Sequence, residues 1–282
     1  MRLSHPAAQL FVPDGTPLPQ ALARLTHVGV GAHPDDLEFM AWHPVLECFH
    51  DPDRWFGAIT VTAGRGSSRT RMYADYTDED MARVRLQEQK RAALIGEYGA
   101  LVWLDFTSDE VRAPGAPQLV EDLVTLLEGC QARAVYTHNL ADKHDTHVAV
   151  ALAVVAALRR LPPERRPARL YGCEVWRSLD WLVDEDKVAF DVSAHENLTL
   201  SLMGVYDSQI AGGKRYDLAT LGRKRANATY WKPRTPDAAT AVEFAMDMTA
   251  LLTDPDLDPL DFVTGLIERF RQDVAARVRR FR

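Results

Sequence analysis

Cysteine is scarce in this 282-residue chain: Cys48, Cys130 and Cys173 are odd in number, far apart and in no CxxC pair. That excludes a disulfide framework and a zinc finger, and leaves buried thiols as the expectation. No uninterrupted run of about eighteen apolar residues occurs, which excludes a membrane-spanning helix. Basic residues are outnumbered, 33 Lys and Arg against 40 Asp and Glu, for a net charge of -7. General attraction to nucleic acid or to an anionic membrane is therefore not expected, and the partner should be a small molecule. The opening stretch, Met1 to Gly15, carries one early arginine and no apolar run of signal-peptide length, so the expected compartment is the cytoplasm. There is no G-x-S-x-G elbow, which disfavours a serine hydrolase. Internal repeats and low-complexity tracts are missing too.

What remains is the composition of a globular chain with a real core, 46% hydrophobic and 26% charged. After an irregular N-terminal stretch, His27 to Ala32 reads as a short buried strand, and Phe56 to Thr62 as a second that ends in the turn-rich loop Ala63 to Ser68. A long helix follows, started by Thr77 with Asp80 three residues on, running through Arg83 to Tyr98 and stopped by Gly99. Strand and helix then alternate: Leu101 to Leu104, Leu119 to Leu127, Ala134 to Thr137, Val148 to Leu158. This alternation predicts an α/β, Rossmann-like fold with a mainly parallel sheet flanked by helices, and with ligands at the carboxyl ends of the strands. From Leu170 two further strands, Leu170 to Val175 and Lys187 to Val192, and a mostly helical remainder form a mixed C-terminal extension. The connector Leu161 to Pro167 is too short to separate folding units, so residues 1–282 are expected to form a single domain. The closing run Gln272 to Arg280 is expected to be a solvated basic helix end.

Two clusters carry chemistry. His33 and Asp36 flank Asp35 where a strand ends and Pro34 can open a helical turn. Residues three apart on a turn share a face, so an imidazole at 33 and a carboxylate at 36 can grip one cation while Asp35 points elsewhere. The second cluster, Thr137 to His147, again lies between a strand end and a helix and holds three histidines and two aspartates. His147, at the first turn of that helix, is chosen as third ligand, with His144 on its side of the chain. His33, Asp36 and His147 would form a two-histidine, one-carboxylate site that suits Zn²⁺ and would accept Fe²⁺ or another divalent metal. A nucleotide-binding reading of Gly29-Val30-Gly31 fares poorly, because Pro34 and two carboxylates stand where a pyrophosphate would bind.

In Ala32-His33-Pro34-Asp35-Asp36, in Arg85-x-x-Glu88 of the following helix and in His144-x-x-His147, taken in this order, the chain resembles the LmbE-like or PIG-L-like zinc-dependent N-acetylglucosaminyl deacetylases. The resemblance covers residues 27 to 160 well and the remainder loosely. It implies a hydrolase that removes the N-acetyl group from an N-acetylated amino sugar or small glycoside, with zinc on His33, Asp36 and His147. It further implies that Asp35 is the general base and that His144 stabilises the oxyanion. The family commonly reads HPDH where this chain reads His144-Asp145-Thr146-His147, so orienting His144 would pass to Asp142 or Asp145. Arg65 and Arg69, in the loop that resembles the family's glycine-containing one, are candidate substrate contacts, and Trp176 and Arg177 a candidate sugar wall. Arg85 and Glu88 are expected to pair beneath the site. A metal-dependent hydrolase of a non-sugar amide or ester fits the same residues, and a homo-oligomer is compatible with them. A non-catalytic binding protein is disfavoured by the presence of both Asp35 and His144.

Overall fold

The computed structural model describes residues 1–282. Eight strands, β1 (Gln9–Phe11), β2 (His27–Gly31), β3 (Phe56–Thr62), β4 (Ala100–Phe106), β5 (Ala134–His138), β6 (Arg169–Cys173), β7 (Lys187–Asp191) and β8 (Val242–Asp247), form one sheet. Their order is β1-β4-β3-β2-β5-β6-β8-β7. The five central strands are parallel, as crossovers through helices require. Those helices are Asp78–Ile95 between β3 and β4, Pro117–Glu128 before β5 and Asp145–Arg160 before β6. The two edges are antiparallel: β1 against β4, and β8 between β6 and β7. The chain steps from β2 outward to β3 and β4, then returns to place β5 on the other side of β2. This reversal opens a crevice beyond the carboxyl ends of β2 and β5, where open α/β sheets bind ligands.

Pattern and packing agree along β2. Val28 and Val30 enter the larger core on one face of the sheet. Gly29 and Gly31 face the other side, against the short helix Asp36–Met40. A Cβ on Gly31 would stand 3.1 Å from the Cβ of Asp36, so the glycine lets that helix lie against the strand end and fixes where Asp36 can reach.

Several boundaries differ from expectation. The long helix begins with a full capping box, the Thr77 side chain accepting from Asp80 N and the Asp80 carboxylate from Thr77 N. It ends at Ile95 with Gly96 as its cap rather than at Gly99, because Glu97 turns left-handed (φ 53°) and Tyr98 N returns to Ala93 O. The C-terminal remainder is not simply helical: Val242–Asp247 forms β8, inserted between β6 and β7. Glu243 hides the strand in a polarity pattern, yet it is buried, its Oε2 accepting from Lys224 Nζ at 2.6 Å and Trp42 N at 2.9 Å. β1 emerges from the stretch read as irregular. The basic end of the last helix, Pro259–Arg280, is exposed. No helix is long and apolar enough to cross a membrane.

Candidate metal centre and its cavity

The loop after β2 is a tight turn built by its own side chains. Asp36 Oδ2 accepts from His33 N at 2.7 Å, and Asp36 N donates back to His33 O at 3.3 Å. Asp35 sits between them at φ 90°, ψ -27°. Left-handed backbone costs a non-glycine residue about 1–3 kcal/mol, and here it turns Asp35 away from the face used by His33 and Asp36. The second loop rises from β5. His138 closes the strand, and His144 and His147 enter the helix Asp145–Arg160.

The loops meet at four donor atoms, one nitrogen each of His33 and His147 and both oxygens of Asp36. His33 Nδ1 lies 3.1 Å from His147 Nε2 and 3.4 Å from Asp36 Oδ2, and His147 Nε2 lies 3.5 Å from Asp36 Oδ1. Tetrahedral zinc with N and O donors at about 2.0–2.2 Å holds them about 3.3–3.5 Å apart, so these spacings are close to those of a divalent ion's ligands. A second grouping, His33, His144 and His147, has its nitrogens within 4.8 Å of one another, and a third contains Asp36, His138 and His147. The third is the poorer cage, because the Ala32 amide donates to His138 Nε2 at 2.9 Å and occupies the lone pair a metal would need. His138 is instead a packing partner, stacked on His147 at 3.8 Å and 3.2 Å from Asp36 Oδ2.

The electrostatics suit donors. Burial drives His147 down to about 4, reinforced by His138, so its ring is neutral. For Asp36 burial acts upward, but His147, His138 and hydrogen bonds to its carboxylate outweigh it and hold it ionised well below the usual range. Asp35 goes the other way: burial first, then the charge of Asp36, push it well above the carboxylate range, opposed by Arg85. Its Oδ2 is buried with no protein partner.

Asp142 holds the second loop together. Its carboxylate accepts from His144 N at 3.0 Å and Trp176 N at 3.1 Å, and stands 3.8 Å from His147 Nδ1. It therefore faces the ring of His147 and reaches His144 only through the backbone. Asp145 is exposed at the helix start. Neither aspartate orients the His144 ring, whose Nδ1 has no protein partner.

A cavity of about 960 Å³ opens over the cluster. His33, Asp35, Asp36 and His144 line it, whereas His147 is fully buried behind them. Arg65 and Trp176 also line it; Arg69 and Arg177 do not. Arg69 is pinned inside its own loop by Tyr76 O, Arg65 O and Asp78, and Arg177 is exposed outside the cavity. Arg65 itself is committed to Asp105 at 2.9 Å and Glu79 at 3.2 Å. The expected Arg85–Glu88 pair does not form. Arg85 is buried and donates to Gly64 O, Ser67 Oγ and Gln209 Oε1, and Glu88 accepts from Ser208 N and Oγ. Gly64 (φ 63°) admits this guanidinium, since a Cβ there would lie 2.4 Å from Nη1. Sequence reasoning missed the wall residues from later in the chain, including Lys214, Tyr216 and Arg223; only the shared face of positions 216, 220 and 223 on one helix could have signalled them.

Solved structures with this fold include the 4-carboxy-2-hydroxymuconate hydratase of Pseudomonas putida KT2440 (TM-score 0.62, 16% identity, covering 79% of this chain and 96% of that one). The N,N'-diacetylchitobiose deacetylase of Pyrococcus horikoshii is similar at TM-score 0.63 and 14% identity, over 81% of this chain and 85% of that one. The A40926 pseudoaglycone deacetylase is similar at 0.57 and 18%, over 79% and 97%. No curated protein matches the chain in sequence. The PIG-L family, described as GlcNAc-PI de-N-acetylase, matches residues 28–158. That span contains both loops of the histidine and aspartate cluster, and over it the chain matches the PIG-L, or LmbE-like, family.

Proposed function

We propose that the protein is a metal-dependent N-deacetylase acting on an N-acetylated amino sugar or a small glycoside of one. The observation that carries this is the convergence of His33, Asp36 and His147 donor atoms at 3.1–3.5 Å beside a separate buried carboxylate, Asp35. The family match over residues 28–158 and the two deacetylases that share the fold support the same chemistry.

His33, Asp36 and His147 would hold the ion, zinc being the best match to two imidazoles and one carboxylate. When bound, such an ion supplies Lewis acidity, acidifying water and polarising an amide carbonyl. Asp35 is the general base. Its raised basicity and its unpartnered Oδ2, in a residue that lines the cavity, let it take the proton of the attacking water and pass it to the leaving nitrogen. His144 lines the cavity beside His33, with ring centroids 4.9 Å apart, and serves the oxygen that gains negative charge in the tetrahedral transition state. Asp142 positions His147. Arg65 and Trp176 contact the substrate from the walls.

The test is release of acetate and free amine from N-acetylhexosamines and their glycosides by the purified, metal-loaded protein. Acetate release that vanishes on chelation supports the reading. Addition of water to an activated alkene without acetate release, the activity named for the Pseudomonas neighbour, would replace it.

A further inference from the structure

The chain as a whole is acidic, at -7, but one wall of the cavity is not. That wall is built by the turn before the helix Tyr216–Tyr230 and by one face of the helix itself, where Tyr216, Thr220, Arg223 and Lys224 line the cavity. Lys214, in the turn, lines it as well; its ammonium forms no ion pair and stands 5.6 Å from the Trp176 ring. Arg223 donates to Val175 O and has no carboxylate within ion-pair distance. Lys224 is 1% exposed, and the one hydrogen bond of its ammonium is to Glu243, which leaves two of its three donors without a protein acceptor.

The acids that line the same cavity form no ion pair with Lys214 or Arg223. Glu174 accepts from Leu179 N and Asn227 Nδ2. Asp109 pairs with Arg112, and Asp78 with Arg69. Asp35 and Asp36 belong to the floor. An anion entering this cavity is attracted by the wall, so charge would draw the anionic end of an acidic substrate toward Lys214 and Arg223. Trp176, 6.2 Å from His144 and 5.6 Å from the Lys214 ammonium, offers an apolar face for the part of the substrate that joins the two ends.

We propose, resting on the deacetylase reading above, that the substrate is an acidic N-acetyl sugar, carrying a carboxylate or a phosphate away from the acetamido group, and that Lys214 and Arg223 beside Trp176 determine this specificity.

The test compares N-acetylglucosamine, its 6-phosphate and N-acetylmuramic acid as probes of the full-length, metal-loaded protein. Acetate release is followed, and binding of the same probes is titrated calorimetrically to the Asp35→Asn protein, which does not consume them. At least one acidic probe should be preferred in kcat/KM by about tenfold or more, the effect of one charge-assisted contact, and the two acidic arms decide between phosphate and carboxylate. Lys214→Ala and Arg223→Ala should each shrink that preference through KM, and so should raising salt from about 50 to about 300 mM. Lys143→Ala serves as control: its ammonium stands 5.8 Å from the same Trp176 ring but does not line the cavity, and the preference should persist. Equal handling of neutral and acidic probes, or a preference that survives both variants, overturns the proposal. If no probe releases acetate yet the acidic ones bind more tightly in a manner dependent on Lys214 and Arg223, charge selection stands and the deacetylase reading falls. If none binds more tightly than the neutral sugar, charge selection falls whatever the chemistry.

Discussion

Histidines lie near both ends of the central strands, and the two groups have opposite surroundings. Beyond the carboxyl ends of β2 and β5, His33, His138 and His147 converge on the buried carboxylate of Asp36. At the other end, His27 opens β2 beside the Cys48 thiol and the Thr26 hydroxyl, and His43 stacks on Phe190 while its Nδ1 meets Tyr136 OH at 3.0 Å. No carboxylate pairs with either ring at that end. Burial drives His27 and His43 each down to about 4. Two neutral rings against hydroxyl, thiol and phenyl groups make a packed layer; the same residue type against an ionised carboxylate makes a cation cage. What separates a site from a core is the uncompensated negative charge of Asp36, not the number of imidazoles.

The comparison breaks most sharply at the cage. His33→Ala, Asp36→Ala and His147→Ala should each remove most of the roughly one divalent ion per chain that elemental analysis should find, and lower deacetylation by ~10⁴-fold or more, because both the Lewis acid and the positioned water go together. His43→Ala should leave the metal in place. Full occupancy in all three cage variants would show that the ion sits elsewhere.

Next in size are the groups that touch the reacting atoms without holding the ion. Asp35→Asn should keep metal and fold but lose ~10²–10⁴-fold in kcat, since an amide cannot accept the water proton. His144→Ala should cost ~10²–10³-fold, the usual effect of one oxyanion donor. Near wild-type turnover of metal-bound Asp35→Asn would move the base to another carboxylate. Smaller again is Asp142→Asn. Its carboxylate lies 3.8 Å from His147 Nδ1, and loss of such an outer partner weakens metal binding ~10–100-fold. Competition with a chromogenic chelator measures it, and unchanged affinity would reduce Asp142 to a backbone tie.

The cage end was legible because its residues are local. Two motifs, each within a few positions of a strand end, placed His33, Asp35, Asp36, His144 and His147 together once the alternation of strand and helix had placed β2 and β5 in one sheet. Gly31 and the left-handed Asp35 then did the fine positioning, and neither leaves a distinctive mark in a single sequence. His138 stood in the same cluster but could not be told apart, since only the Ala32 amide at 2.9 Å reveals that its lone pair is taken. The far wall was not legible. Arg69 and Arg177 were drawn in because they adjoin strand ends, whereas the residues that line the wall come from a helix more than sixty positions beyond β5, docked by β8. That strand was hidden by Glu243, whose buried pairing with Lys224 is a tertiary fact.

The neutral histidines give the smallest expected effect and the one that tests the other side of the comparison. His43 titrates near 4 in the folded protein against 6.5 in the unfolded chain, the shift arising first from burial and then from His27 and Arg54. A depressed histidine binds its proton more readily when unfolded, so between pH 6.5 and 4 the unfolded state holds more protons and stability falls as pH falls. Above pH 6.5 the ring is neutral in both states and contributes no slope. The full shift corresponds to about 3 kcal/mol per histidine at the acid limit, and solvent reaching the partly covered ring should leave about 1–2 kcal/mol. His43→Phe keeps the stack on Phe190 and removes the titration, at the cost of leaving the Tyr136 hydroxyl without its partner. Its urea midpoint should therefore lie below wild type at pH 7 but fall less steeply toward pH 5. Metal-free protein must be used for both, so that protonation of the cage ligands does not add metal loss to the wild-type slope. Parallel pH profiles for the two proteins would mean that His43 contributes none of the acid sensitivity and that its place in the aromatic layer tolerates a charged imidazole.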